Sequence, residues 1–504
     1  MALDTSSLLF EPNAVETPLV LALDIGSSSA RAALVDARGR RLGRSLIHVA
    51  YVHDTVESKY GSLDLPELTR SVEALIDQIV QLAGSLRVEI AGVGISTFWH
   101  SLIGLDEHHQ PLTPIYSWAD TRSAGAARVL AERLDPLAYH QRTGTMPHAS
   151  YPAAKLLWLQ DAEPELFKQV KRWVSFGEYL FLRFFGEASA SISMASATGL
   201  FDQRQLRWDE VTLDAIQVKP ESLSPLSDNP AIGLTDAYAK RWPALNSTKW
   251  FPALGDGACA NVGSGGIGTS RVAMSVGTSG AMRVLWEGEP VAPPTGLWLY
   301  RLDAKRVLLG GALSEGGNLF EWVRERFQLP ALDELTRKVA AIPPDSHGLT
   351  WLPFLAGERS PGWNANARAT ISGLTLHSTP EEILRAGLEA IAYRFALIAS
   401  LLDGHVPAEH TIIGSGNALL HDQTWPQIMS DALGHNLIAS TEPEASLRGA
   451  ALVALERLNA FQKLEVVATQ VLDDAHHYEP NDENHQIYAR AIERQQELYR
   501  RVLG

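Results

Sequence analysis

The chain reads as an α/β protein of two similar lobes with an active-site cleft between them, and three observations lead there. Leu19 to Leu23 is an unbroken apolar run of the kind that forms a strand buried on both faces. Asp24 ends it, Gly26 and the serines 27–29 follow, and a second strand-like run occupies Ala32 to Val35. Roughly 250 residues later the pattern returns in RVAMSVGTSGAMRVL, an apolar strand, Gly277-Thr278-Ser279-Gly280 and another apolar strand. Taken singly, either stretch is equally an ordinary hairpin with a polar turn; taken together they indicate an internal duplication. A length of 504 residues agrees, because one hydrophobic core rarely serves so long a chain.

Each turn offers what a phosphate group needs. Glycine permits the tight backbone, and the neighbouring hydroxyl and N–H groups are donors. Asp24, at the mouth of the first turn, is positioned to hold a magnesium ion. Two lobes presenting such turns to one another would grip a nucleotide's phosphates. That layout resembles the actin-like, ribonuclease-H-like ATPase superfamily.

Composition narrows the partners. Hydrophobic residues make up 45% and charged residues 20%, as in globular proteins. A formal charge of −15 argues against nucleic acid and anionic membranes, whose phosphates it repels. No apolar run is long enough to span a bilayer, and the first residues lack a basic segment followed by an apolar one, so a cytoplasmic location is expected. A single cysteine, Cys259, excludes a disulfide framework and a cysteine-rich zinc site.

Taken in order, residues 1–17 read as a loosely ordered lead-in and 18–262 as the first lobe. Arg40 to Tyr51 is expected to add a strand. Asp64 caps a helix whose apolar positions Leu68, Val72, Leu75, Ile76, Ile79 and Leu82 recur every three or four residues. Val88 to Ile95 is a further strand ending at Phe98-Trp99-His100, where side chains often face a cleft. In Tyr116-Ser117-Trp118-Ala119-Asp120-Thr121-Arg122, a tryptophan, a carboxylate and a guanidinium alternate, so all three reach one side of an extended segment. Without their context they read first as a core tryptophan, a capping aspartate and a solvated arginine. His148 and Lys155, the latter at the start of an apolar helix face, carry the same two readings.

Residues 200–253 are broken by five prolines, after which Gly255-Asp256-Gly257 follows an apolar approach. The glycines at 263–268 suit a hinge, which sets the second lobe at 263–504. That lobe repeats the opening hairpin and adds a strand near Val307 to Gly310. Thr379, Pro380 and Glu382 form a capping box at the start of a long helix. Thr411 to Ala418 is a strand breaking into a turn of small residues, Gly414 to Ala418, where a flat base could lie against the backbone. Helices are expected at 425–433, 446–456 and 483–502.

With these parts in order, the chain resembles the FGGY family of carbohydrate kinases over nearly its whole length. LDIGSSSAR and MSVGTSGAM resemble its two phosphate loops, and GDGACANVGSG the segment of its catalytic aspartate. SYPAAKLLWLQ and SGLTLHSTPEEILRAGLEA resemble its two signatures, and Ile413 to Gly434 its adenosine segment. FWHSLIGLD, PLTPIYSWADTRS and GTMPHASYPAAKLLWL look most like the gluconokinase branch.

The resemblance implies ATP and Mg²⁺, a small sugar or sugar-acid substrate with gluconate favoured, and leaves a homodimer open. It implies Asp256 as the base that takes a proton from the attacking hydroxyl. Asp24, with Asp256, is the implied metal site; Ser27, Ser28, Arg31, Gly277, Thr278, Gly310, Gly414, Gly416, Asn417 and Ala418 are the implied nucleotide contacts. His100, Trp118, Asp120, Arg122, His148, Lys155 and Asp256 would hold the substrate, with Arg122 the arginine for a carboxylate. Xylulose, another ketose or a sugar alcohol are the alternative substrates. A chaperone or filament ATPase is disfavoured because nothing after residue 460 is long enough for a substrate domain.

Overall fold

The computed structural model describes residues 9–51 and 61–504, and in it the two hairpins found by sequence are the centres of two sheets. In the first lobe, β1 (Leu19–Ile25) and β2 (Ser29–Val35) are antiparallel, and β3 (Ile47–Ala50) pairs with β2. Helix α1 (Leu65–Leu86) packs across this hairpin; the Asp64 carboxylate accepts from the Glu67 N–H at 2.7 Å as its N-cap. Strand β4 (Ile90–Thr97) then lies parallel to β1, and the short β5 (Leu254–Gly255) continues the parallel side. Between them the chain makes further helices, among them α2 (Pro152–Ala162). Helix α3 (Asp256–Ser264) leaves directly from β5.

The second lobe repeats the plan. β6 (Arg271–Val276) and β7 (Gly280–Glu287) form the hairpin, while β8 (Trp298–Arg301) and β9 (Arg306–Leu313) extend it antiparallel. After α4 (Gly317–Arg326) and the long α5 (Pro380–Leu402), β10 (Thr411–Ser415) pairs parallel with β6. Thr379 and Glu382 make the expected capping box at the start of α5. Helix α6 (Thr424–Leu433), strand β11 (Leu437–Ala439), helix α7 (Ala445–Arg457) and the amphipathic α8 (Asp482–Leu503) complete the lobe.

Three expectations are corrected. Of the supposed lead-in, residues 1–8 lie outside the described residues, but Leu9–Phe10 forms a strand parallel to Arg41–Leu42, and Phe10 is buried. The expected strand from Arg40 to Tyr51 is two short ones, Arg41–Leu42 and β3, and its last part runs up to residues not described.

The glycines at 263–268 are packing residues rather than a free hinge. A Cβ on Gly263 would stand 1.8 Å from the Ala445 carbonyl oxygen, and one on Gly266 2.5 Å from Ala273 Cβ. Gly263 lets α3 lie backbone-to-backbone against α7, whose Gly449 approaches the Cys259 carbonyl equally closely, and Gly266 packs against β6. Helix α7 therefore returns from the second lobe to cover the first lobe's sheet. A third core results, in which Val20, Ala22 and Ala33 of the first hairpin join Leu447, Ala451 and Val453 of α7 and Leu285, Trp298 and Tyr300 of the second sheet. The lobes have their own cores as well, but this one joins them.

Candidate active site

The cleft opens where the strands of both sheets end, which is where a parallel sheet exposes its last side chains. Register dictates its first row. Asp24 on β1 is the cross-strand partner of Arg31 on β2 and of Ser96 on β4, so the three side chains stand on one face. The Asp24 carboxylate accepts from Ser96 Oγ at 2.9 Å and from Arg31 Nη1 at 3.3 Å. Burial still holds its pKa above the ordinary carboxylate value. Arg31 also pairs with Glu444 at 3.3 Å, just before α7.

Asp256 enters beside this row because Leu254 and Gly255 pair with Ser96 and Thr97. It is the first residue of α3, and its Oδ1 accepts from the Gly257 N–H at 2.7 Å. Its carboxylate opens onto the cleft. Burial, then the charge of Asp24, push its pKa up to about 6 against the pull of Arg283 and Arg359. The flanking glycines have a definite cause: a Cβ on Gly255 would lie 1.8 Å from the Trp99 indole, and one on Gly257 2.6 Å. Trp99 thus lies close under Asp256, held by a bond from its Nε1 to the Ser193 carbonyl at 3.1 Å and by edge contact with Tyr300.

His100 follows with φ of 64°, an uncommon conformation for a non-glycine residue and one concentrated at functional sites. Its Nδ1–H donates to the Ala197 carbonyl at 2.7 Å, which fixes the tautomer and leaves Nε2 an acceptor. Burial pushes its pKa down to about 3, so the ring is neutral. Trp118, 37% exposed, forms part of the opposite rim.

The two hydroxyl-rich turns face one another across the cleft. Gly26 N–H donates to the Ser29 carbonyl at 2.9 Å, and Gly277 N–H to that of Ser279 at 3.0 Å, so each turn is closed by a backbone hydrogen bond from its first glycine, the second turn one residue tighter. Ser27 and Ser28 line one wall; Gly277, Gly416 and Asn417 line the other. The cleft, about 490 Å³, adjoins a second cavity of about 830 Å³ lined by Thr278, Gly317, Trp322, Ala418 and Trp425; Arg31, Gly277 and Asn417 border both. A Cβ on Gly317 would stand 2.8 Å from the Ala418 methyl, so α4 and the turn after β10 meet closely at the cavity's edge.

Not every residue expected in the site reaches it. Asp120 is buried and holds Arg122 through several hydrogen bonds, the shortest 2.5 Å, while the guanidinium also lies over the Tyr116 and Trp158 rings. Lys155 is buried too: its Nζ donates to the carbonyls of Ala149 and Ser150 at 2.8 and 2.5 Å, and burial lowers its pKa to about 7. It ties down the segment that carries His148, whose ring packs on Trp363 at 5.2 Å. Gly310 sits in β9 opposite Arg283, where a Cβ would crowd the arginine stem at 2.9 Å; it makes room for Arg283 and does not line the cleft. Gly414 lies within β10, under Leu437.

The cleft residues that escape the sequence reading include two arginines, Arg283 on β7 and Arg359 between the short strands Thr350–Leu352 and Thr370–Ser372. For Arg283 a signal exists, a lone arginine inside an otherwise apolar strand. Arg359 stands in GERSPG, where only the turn residues are conspicuous.

A two-lobed actin-like fold, with two hydroxyl-rich turns and a carboxylate facing one cleft, suits a phosphotransferase. Sequence comparison makes the family definite. The N-terminal domain of the FGGY family of carbohydrate kinases matches residues 19–263 and its C-terminal domain residues 272–456, so the chain belongs to that family and is a sugar kinase. It is 28% identical to a gluconokinase of Bacillus subtilis, with 90% of each chain covered, and 25% identical to a xylulose kinase of the same organism, covering 95% of this chain and 96% of that one. Among solved structures it is similar to a xylulose kinase and a gluconate kinase from Lactobacillus acidophilus. The TM-scores are 0.89 and 0.88, each at 26% identity and covering 96% of this chain and 98% of the other.

Proposed function

We propose that the chain transfers the γ-phosphate of ATP to a hydroxyl of a sugar acid, gluconate being the favoured substrate. The observation that carries the sugar-acid reading is the charge at the sugar end of the cleft. There Arg283 and Arg359 face Asp256, a neutral His100 and the rings of Trp99, Trp118 and Tyr300. Two guanidiniums against one carboxylate match an anionic substrate better than a neutral one. The likeness to gluconokinases agrees.

In the reaction Asp256 accepts the proton of the sugar hydroxyl as its oxygen attacks the γ-phosphorus. The new O–P bond forms while the bond to the β-phosphate oxygen breaks, leaving a sugar phosphate and ADP. The turns at 26–29 and 277–280 hold the phosphates from either side, and the larger cavity accepts the base. His100 Nε2 accepts a hydrogen bond from a substrate hydroxyl. Asp24 and Asp256, two carboxylates close enough to raise the latter's pKa, suit a divalent cation. Mg²⁺ held there would offset the negative charge of the phosphates.

Xylulose, another ketose or a sugar alcohol is the second reading, favoured by the similarity to xylulose kinases. A panel of aldonates, ketoses and polyols with coupled ADP detection tests the choice. Gluconate is expected to give the highest kcat/KM, and a neutral ketose in first place would overturn it.

A further inference from the structure

Among the described residues, Arg359 is the cleft arginine whose guanidinium makes neither a hydrogen bond nor an ion pair. Arg31 is paired with Asp24 and Glu444, and Arg283 reaches Asn261 Oδ1 at 3.4 Å beside Asp256. Arg359, among the described residues, has no carboxylate within ion-pair distance, and its buried Nε has no hydrogen-bond partner. Its neighbour Glu358 cannot serve, because that carboxylate is turned inward to Arg394 and to the Tyr499 hydroxyl at 2.7 Å.

The loop nevertheless holds Arg359 firmly. Glu358 N–H donates to the Asn364 carbonyl at 2.9 Å, Ser360 N–H to that of Ala312 at 2.9 Å, and Ser360 Oγ accepts from Ala312 N–H at 3.1 Å. The guanidinium then stands 6.0 Å from the ring of Trp118, across the cleft from its own lobe. Arg359 lines the cleft from this held loop with its guanidinium unpartnered, so a ligand in the cleft can supply the acceptor it lacks.

We propose that Arg359 binds the carboxylate of the sugar-acid substrate and sets the enzyme's preference for acids over neutral sugars. This rests on the sugar-acid reading above and identifies its recognition residue. A carboxylate offers two acceptor oxygens to the guanidinium edge, giving charge and orientation together, which a neutral hydroxyl cannot match. Arg122, the arginine expected from sequence, is already committed to Asp120. Arg283 pulls on Asp256 more strongly than Arg359 does and its guanidinium reaches Asn261, which places it nearer the reacting end.

The test compares wild type with Arg359→Gln and Arg359→Lys on gluconate, a second aldonate such as galactonate, and xylulose, with the KM for ATP and Tm measured alongside. The ratio of kcat/KM for an aldonate over xylulose is expected to fall about 10²-fold in Arg359→Gln, mainly through KM, and to recover in part in Arg359→Lys. The KM for ATP should stay within about twofold. If gluconate is the best wild-type substrate but Arg359→Gln lowers gluconate and xylulose alike, the assignment of Arg359 is overturned while the gluconate reading stands. If another aldonate is best and Arg359→Gln loses it selectively, gluconate falls and Arg359 stands. A wild type confined to neutral sugars overturns both.

Discussion

At the scale of single residues, the role proposed for Asp256 carries a cost. A folded pKa of about 6, above the usual carboxylate value, means that the ionised form the proposed base needs is disfavoured by its surroundings. The stabilising contribution of its bound proton is complete at pH values below the unfolded pKa and is lost as pH rises through about 6. Asp256→Asn is therefore expected to raise Tm at pH 7.5 and to lose that gain as the buffer is taken toward pH 4, both by calorimetry. The same variant should lose about 10²-fold or more in kcat while still binding nucleotide. In wild type kcat/KM should fall as pH drops through about 6, because the base becomes protonated. Near-normal turnover in the folded variant would remove Asp256 from the role. The position of Asp256 was legible in the sequence because two glycines flank it, though what occupies the space they leave, the Trp99 indole, was not. Asp120 with Arg122, and Lys155, show the opposite limit: their spacing is that of a polar site, but their hydrogen bonds are spent on one another or on backbone carbonyls. Sequence spacing gives which side chains share a face, not what they touch.

Among the elements, the hairpins and α5 were readable because local rules act alone there: alternating turn and strand chemistry, and a capping box. The glycines of α3 and α7 were not, because glycine permits both backbone rotation and close packing, and only the tertiary contact decides between them. That contact gives a prediction. Gly449→Ala puts a methyl against the Cys259 carbonyl oxygen, and since both partners are helix backbone the clash is relieved only by moving α7 from α3. A loss of about 1–3 kcal/mol is expected by denaturant unfolding, and kcat should fall with it because α3 carries Asp256. Gly84→Ala, near the end of α1 with no atom within 4 Å of the added Cβ, is expected to be neutral or to stabilise by up to about 1 kcal/mol. Equal effects of the two substitutions would show that the α3–α7 approach is not tight.

For the whole molecule, the question is how the lobes move when a core joins them. The contacts across the cleft mouth are weak: the Arg31–Glu444 pair is partly exposed, at 35% and 19% of the side chains, and exposed or half-exposed pairs add little more than about 1 kcal/mol. Arg359 over Trp118 is likewise at the rim. The floor is strong. Tyr151 of the first lobe and Tyr300 of the second share a buried hydrogen bond of 2.7 Å, and the third core lies behind it. Motion should therefore be a rotation of the lobes about that floor, opening the mouth without parting the base. Closure would exclude water, which otherwise competes with the sugar for the phosphoryl group. Small-angle scattering is expected to show a smaller radius of gyration with a sugar acid and a non-hydrolysable ATP analogue together than with neither. Tyr300→Phe, which removes the hydrogen bond but keeps the ring, should leave that compaction in place and lower stability by about 1 kcal/mol. An unchanged radius in saturating amounts of both ligands would mean that the cleft does not close on its substrates, and water would then have to be excluded by the ligands themselves.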